Sequence, residues 1–151
     1  MAVHFQPKQY HSVTPYLIVK GAAKALDFYQ RAFGAEELYR MEHEGKVGHA
    51  EMKIGDSVVM LADEHPGMGA LSPQTIGGSP VSLLIYVPDV DAAFARALQA
   101  GAKQERPIED KFYGDRTGGV EDPFGYKWYL ATHKEDVTPE EMERRMAAMQ
   151  K

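Results

Sequence analysis

The spacing of apolar residues changes in a fixed order along the first part of the chain. Residues 13–19 are rich in strand-forming side chains, and Lys20-Gly21 ends that run. Ala22, Ala25, Leu26, Tyr29, Ala32 and Phe33 then recur at helical spacing. Gly34 stands where a helix C-terminus favours a left-handed residue. Three strand-like runs follow, 37–44, 47–54 and 57–62, separated by Gly45-Lys46 and Gly55-Asp56 as short hairpin turns. The predicted order is βαβββ.

The same order then recurs. Residues 81–87 read as a strand, and Asp89 or Asp91 is placed to cap the helix that follows. Val90, Ala93, Phe94, Ala97 and Leu98 form its apolar stripe, and Gly101 stops it. Runs 104–113, 115–121 and 126–133 supply three further strands, broken by Gly114 and by Pro123-Phe124-Gly125. Gly34 thus recurs as Gly101 and Gly55 as Gly125, an internal repeat that governs the whole reading of the fold. Module one spans about 13–62, a Gly-, Pro- and Met-containing linker 63–80, and module two about 81–133. The linker is open to two readings, a functional or mobile segment and a plain tether. Thr138-Pro139-Glu140-Glu141 predicts a capped helix over about 138–150, with Met142, Met146 and Met149 on one face as a packing stripe for this chain or a partner.

Composition narrows the function classes. A chain of 151 residues fits one domain, or two small modules sharing a core. Its net charge of -5, without any basic run interleaved with aromatics, argues against a nucleic-acid partner. Cysteine is absent, which removes disulfides, thiolate zinc sites and cysteine nucleophiles, and suits a cytoplasmic location. No apolar run approaches the roughly 18 residues that cross a bilayer, so no membrane partner is expected.

Four motifs point to a family. Ala25-Leu26-Asp27-Phe28-Tyr29 before Phe33-Gly34-Ala35, and Asp122-Pro123-Phe124-Gly125 leading into Tyr126-Lys127-Trp128, stand on the duplicated modules. Tyr113-Gly114-Asp115-Arg116 and the run 131–137 accompany them. Together they resemble the vicinal oxygen chelate superfamily, glyoxalase and bleomycin-resistance-like proteins, in its PhnB-like branch. The resemblance implies an α+β fold, two βαβββ modules forming a cup-shaped mixed sheet, usually completed in a homodimer. Metal-dependent relatives carry one His or Glu on the first and last strand of each module. Those positions fall here on Thr14, near Val59, on Ser82 and on Tyr129. None is a good ligand for a divalent metal, so the resemblance predicts no cofactor at the usual place.

Strand alternation allows the cup to be read without the family. In 47–54 the residues Gly48, Ala50, Met52 and Ile54 form a face for packing under a helix. Val47, His49, Glu51 and Lys53 share the other face. His49 and Glu51, with Cβ atoms on the order of 7 Å apart, are candidates for an acid/base or ligand pair, against the plain alternative of a solvated sheet face. Lys127, Tyr129, Ala131 and His133 share the cup side of the last strand, opposite Trp128 and Leu130. Tyr113 and Arg116 flank a turn at the rim, and Arg116 suits a carboxylate or phosphate. Tyr113, Arg116, Glu121, Trp128 and Tyr129 are the candidate ligand contacts, with Trp128 also readable as core. The leading function is the binding of a small organic molecule in the dimer's cups, as a sequestering protein or a metal-independent enzyme. The alternative is a metal-dependent glyoxalase-like lyase, isomerase or dioxygenase with displaced ligands at His49, Glu51 and Glu121. A purely structural interaction domain is the third class.

Overall fold

The structure, a computed structural model, describes residues 2–150. The chain divides after Ser79 into two compact units. The first unit holds β1 (Tyr16–Val19), α1 (Ala22–Phe33), β2 (Glu36–His43), β3 (Lys46–Ile54), β4 (Ser57–Asp63) and a short helix α2 (Pro73–Ile76). Its sheet runs β1-β4-β3-β2, parallel between β1 and β4 and antiparallel elsewhere. The second unit holds β5 (Ser82–Tyr86), α3 (Val90–Ala100), β6 (Lys103–Asp110), β7 (Asp115–Glu121), β8 (Lys127–His133) and α4 (Pro139–Met149). Its sheet runs β5-β8-β7-β6 with the same pattern of directions, so the sequence repeat is a repeat of topology.

In the first unit α1 buries Ala22, Ala25, Leu26, Phe28, Tyr29 and Ala32 against one sheet face, which answers with Val19, Ala50, Met52 and Leu61. The helix has no side-chain cap of its own. The Asp63 carboxylate, at the end of β4, accepts instead from the backbone N–H groups of Gly21 and Ala22, each at 2.8 Å. Its other oxygen accepts from Val47 N–H at 2.8 Å. Orphan donors at a helix start need such a partner, and here a distant strand supplies it.

Several sequence expectations are corrected by the backbone. Pairing along β2 and β3 jumps from Met41–His49 to Glu42–Val47, a bulge that leaves Gly48 unpaired. Val47 is thereby turned into the core and Gly48 out of it, reversing their expected faces, while Ala50, Met52 and Ile54 keep theirs. The first hairpin turns at Glu44-Gly45, both at positive φ (50° and 78°), one residue earlier than Gly45-Lys46. Segment 63–80 carries structure: a single 3-10 turn at Pro66–Met68, and α2, capped by Ser72. The Glu64 carboxylate accepts from Ser72 N–H at 2.7 Å and holds that segment on the unit.

In the second unit α3 takes Asp89, not Asp91, as its cap. Phe94 of α3 reaches the sheet because β7 offers Gly118 beneath it, where a Cβ would lie 3.0 Å from the ring and 2.8 Å from Ile108. β6 ends at Asp110 rather than continuing to Tyr113, since residues 111–114 turn the chain. The buried Asp122 carboxylate organises the turn into β8. It accepts from Phe124 N–H at 2.8 Å, Tyr126 N–H at 3.0 Å and the Trp128 indole N–H at 2.8 Å. The Asp-Pro-x-Gly motif is thus a hydrogen-bonded clasp on the core.

Helix α4 buries no residue. Thr138 caps it as expected, accepting from Glu141 N–H at 3.2 Å, but Glu141 turns to Arg144 and Arg145 instead of closing a reciprocal box. The helix is tied down by Arg145, which donates to Phe112 O at 2.9 Å and to Glu135 at 2.6 Å. Met146 and Met149 are exposed, so within the chain the methionine stripe is not the anchor. Among the described residues no helix is long and apolar enough to cross a membrane.

Candidate functional site

Each unit presents one sheet face away from its helix, and polar clusters stand on both. In the first unit the alternation of β3 puts His49 and Glu51 on that open face, and β1 adds Tyr16. His49 Nε2 lies 3.2 Å from Glu51 Oε1, and His49 Nδ1 lies 2.8 Å from the Tyr16 hydroxyl. An ionised carboxylate accepts only, so Nε2 donates to Glu51, while Nδ1 shares a hydrogen bond with the Tyr16 hydroxyl. The Tyr10 hydroxyl, shut away from water, stands close enough to stabilise the ionised Glu51 but without the geometry of an ordinary hydrogen bond. Tyr10 and then His49 hold the Glu51 carboxyl below its usual range against the opposing effect of burial. Burial, followed by the Glu51 charge, pushes the Tyr10 phenol up to about 12 and raises that of Tyr16. The pair expected from the sequence is therefore one half of a Tyr16–His49–Glu51 chain.

A second chain lies on the open face of the second unit. Tyr86 donates to Asp115 Oδ2 at 2.9 Å, Asp115 Oδ1 meets His133 Nδ1 at 2.6 Å, and His133 Nε2 meets Asp136 at 2.8 Å. Asp115 first, then Asp136, raises the His133 pKa above its ordinary value. Alternation places His133 on the correct face, but its pairing needs the register that sets Asp115 opposite it. Tyr16 and Tyr86 carry no motif of their own and become visible only through that register.

Beside this second chain is a cavity of about 390 Å³, within the size range of small-molecule sites. Leu84, Phe112, Tyr113, Tyr129 and Met149 supply apolar walls, and Thr117, Arg106 and Lys111 supply polar ones, with Lys111 paired to Glu109. The Tyr129 ring lies over Gly119, where a Cβ would come within 2.7 Å of it, so glycine is what lets the ring lie flat on the strand. Among the described residues no carboxylate pairs with the Arg106 guanidinium, although most other arginines have one.

The remaining candidates fall elsewhere. Arg116 points to the helix side, where Asp91 grips it at 2.9 and 3.0 Å and Asp110 at 3.2 Å, so it is committed to ion pairs and does not reach the cavity. Trp128 is 1% exposed with its indole N–H bonded to Asp122, so it is core and offers no face to a ligand. Glu121 sits half-buried at the end of β7, opposite Lys127 and Lys103. Arg106 was not singled out by the sequence, because β6 has irregular register on either side of it and simple alternation does not place it.

The metal positions of relatives can be tested on their donors. Thr14 lies before β1 and donates to His11 O. Val59 is buried on the helix side, and Met60, its neighbour in β4, takes the open face opposite Glu51. Ser82 is exposed opposite Lys127, and Tyr129 lines the cavity. Hydroxyls, a valine and a thioether do not fit a hard or borderline divalent ion. Both ring nitrogens of His49 are already engaged, and no cluster of three His, Asp or Glu among the described residues is arranged to hold a metal.

Two sequential βαβββ units, each a four-stranded mixed sheet with a helix on one face, define a duplicated-module α+β protein. The chain belongs to the Glyoxalase/Bleomycin resistance protein/Dioxygenase superfamily, whose pattern matches residues 6–130. Mb0911c of Mycobacterium bovis is 41% identical over 98% of this chain and 97% of its own length. The crystal structure of TioX from Micromonospora sp. ML1 superposes with a TM-score of 0.66 at 29% identity, over 82% of this chain and 98% of that one. A PhnB protein from Bacillus cereus shares the fold with a TM-score of 0.61 at 20% identity, over 81% of this chain and 99% of that one.

Proposed function

We propose that the protein binds a small organic anion with a flat apolar body in the cavity of its second unit. The observation that carries this is an unpaired guanidinium, Arg106, at the edge of a mainly aromatic and aliphatic pocket whose other polar lining is Thr117 and Lys111, the lysine being already paired with Glu109. A guanidinium holds a carboxylate or phosphonate bidentately, and the Tyr129 ring, flat over Gly119, gives a stacking surface. The test is calorimetry with 2-naphthoate against the neutral 2-naphthalenemethanol. The anion should bind at least about tenfold more tightly, and Arg106→Gln should abolish that preference while Tyr129→Ala weakens both ligands. Equal binding of the two probes, or an unchanged preference in Arg106→Gln, would overturn the reading.

A second reading, proton transfer without a metal, is favoured by the Tyr16–His49–Glu51 chain, in which a carboxylate and a phenol orient an imidazole. A displaced metal site at His49 would require giving up one of its two ring hydrogen bonds, to Tyr16 or to Glu51. The exposed Leu84, Tyr86, Met146 and Met149 support a homodimer, to be checked by analytical ultracentrifugation at tens of micromolar, about the working range for ordinary interfaces. We assign the protein to the cytoplasm, where a cysteine-free chain needs no oxidising folding machinery.

A further inference from the structure

The first unit contains a cavity of about 430 Å³ that the anion-binding reading does not use. One wall comes from the segment before β1, with Phe5, Pro7 and Tyr10, and the floor is Glu51 and Met60 of the open sheet face. The wall segment is tied to itself and to the unit. Tyr10 N–H donates to Pro7 O at 3.1 Å, Thr14 donates to His11 O at 3.3 Å, and the His11 ring lies 3.1 Å from Asp56 O. Glu51 is the sole carboxylate lining this space, and its side chain is 19% exposed. Its only charged-pair geometry is with His49, which reaches Oε1. No lysine or arginine among the described residues pairs with it. The cavity thus presents a half-buried, ionised carboxylate beside aromatic surfaces, with no lysine or arginine in its lining and with the His11 ring turned to Asp56. The hydroxyl that faces it, that of Tyr10, is buried and completes no well-formed hydrogen bond.

We propose that this cavity is a second ligand site, for a small primary or secondary ammonium ion with a short apolar substituent. Glu51 supplies the counter-charge, and its salt bridge with the ammonium replaces the poor contact with Tyr10. The Phe5 and Tyr10 rings take the apolar substituent and attract the cation through their faces. His49, bonded between Tyr16 and Glu51, fixes the direction of the carboxylate by engaging Oε1 and leaves Oε2 for the ligand. The segment from Phe5 to Thr14 is then part of the binding site, since it forms the wall opposite Glu51.

Benzylammonium chloride is the probe and benzyl alcohol its neutral control, titrated into the full chain by calorimetry. Benzylammonium should bind about tenfold or more tightly than the alcohol, the margin of a charge-assisted contact. Glu51→Gln should remove that margin, and Glu51→Asp, which keeps the charge, should retain part of it. Tyr10→Phe, which deletes the ill-placed hydroxyl, should bind benzylammonium as tightly as the parent or more so. Circular dichroism of each variant confirms that it is folded. Absence of benzylammonium binding at millimolar concentration overturns the proposal, as does equal binding of the alcohol. So does a folded Glu51→Gln that keeps the preference for the amine.

Discussion

Asp122→Asn changes one atom in the clasp at the start of β8 and removes its charge. The native carboxylate accepts three hydrogen bonds, two on Oδ1 from backbone N–H groups and one on Oδ2 from the Trp128 indole. An amide has a single acceptor oxygen. Whichever way the asparagine is turned, its NH₂ faces a donor, either the indole or the pair of backbone groups. Asp122 is 4% exposed, so water does not repair the loss. Losing a charge-assisted bond and stranding a buried donor together cost about 3 kcal/mol. For a chain of this size, that corresponds to a fall in melting temperature of about 6–12 °C. Differential scanning calorimetry gives the shift directly. Trp128, the only tryptophan of the chain, reports by fluorescence whether the clasp opens at the same temperature. A fall of less than about 2 °C, on the same conversion, would refute the assignment of Asp122 as the organiser of this turn.

Other expected outcomes follow from single contacts. Gly114→Ala forces a Cβ to within 2.3 Å of Glu135 O at a φ of +104°, and should cost about 2–4 kcal/mol in denaturant unfolding. Arg116→Gln removes exposed ion pairs to Asp91 and Asp110, and should leave the melting temperature within about 2 °C of the parent and 2-naphthoate binding unchanged. His133 has a folded-state pKa raised above 6.5 by Asp115 and Asp136, so its stabilising contribution is complete below the unfolded value and is lost as pH rises through the folded one. An NMR titration should place its midpoint above 6.5. His133→Gln should remove the corresponding decline in stability on the alkaline side, and a midpoint at or below the ordinary value contradicts the network. The Glu64 pKa is lowered from 4.5 to about 2 by Ser72, then Thr75, so the contribution it makes above 4.5 falls away as pH drops from there through about 2. Glu64→Gln should flatten the acid limb of the stability curve.

The modules and their repeat were legible because the period of the apolar residues changes from 2 to 3.6 at each helix, and because glycines stop both helices. The parity of β8 was legible for the same reason, and Tyr129 and Trp128 fall on the faces it predicts. Parity failed where the backbone breaks period. The bulge at Gly48 exchanged the faces of Val47 and Gly48, and two irregularities in β6 concealed Arg106. Long-range partners were not legible at all. Nothing local to Arg116 announces Asp91, and nothing near His49 announces Tyr16, since both contacts are made by register between strands and by helix packing. The tail helix shows a subtler limit. Its cap was readable, but its anchor is Arg145 on Phe112 O, a contact to a turn that the sequence extended as strand.

The reach of Asp63 bears on the order of events when the chain folds. A helix such as α1 ordinarily starts from a cap a few residues away, so its first turn forms as fast as local chain motion allows. Here the cap is the last residue of β4, separated from Gly21 by the whole β2–β3 hairpin. The same carboxylate holds the Val47 N–H beside the bulge. The first turn of α1 therefore becomes stable only once β4 has docked beside β1, and a local step is made to wait for a non-local one. Damage at Asp63 should then appear in the helix, the bulge and the strand together, as one cooperative unit losing stability at once.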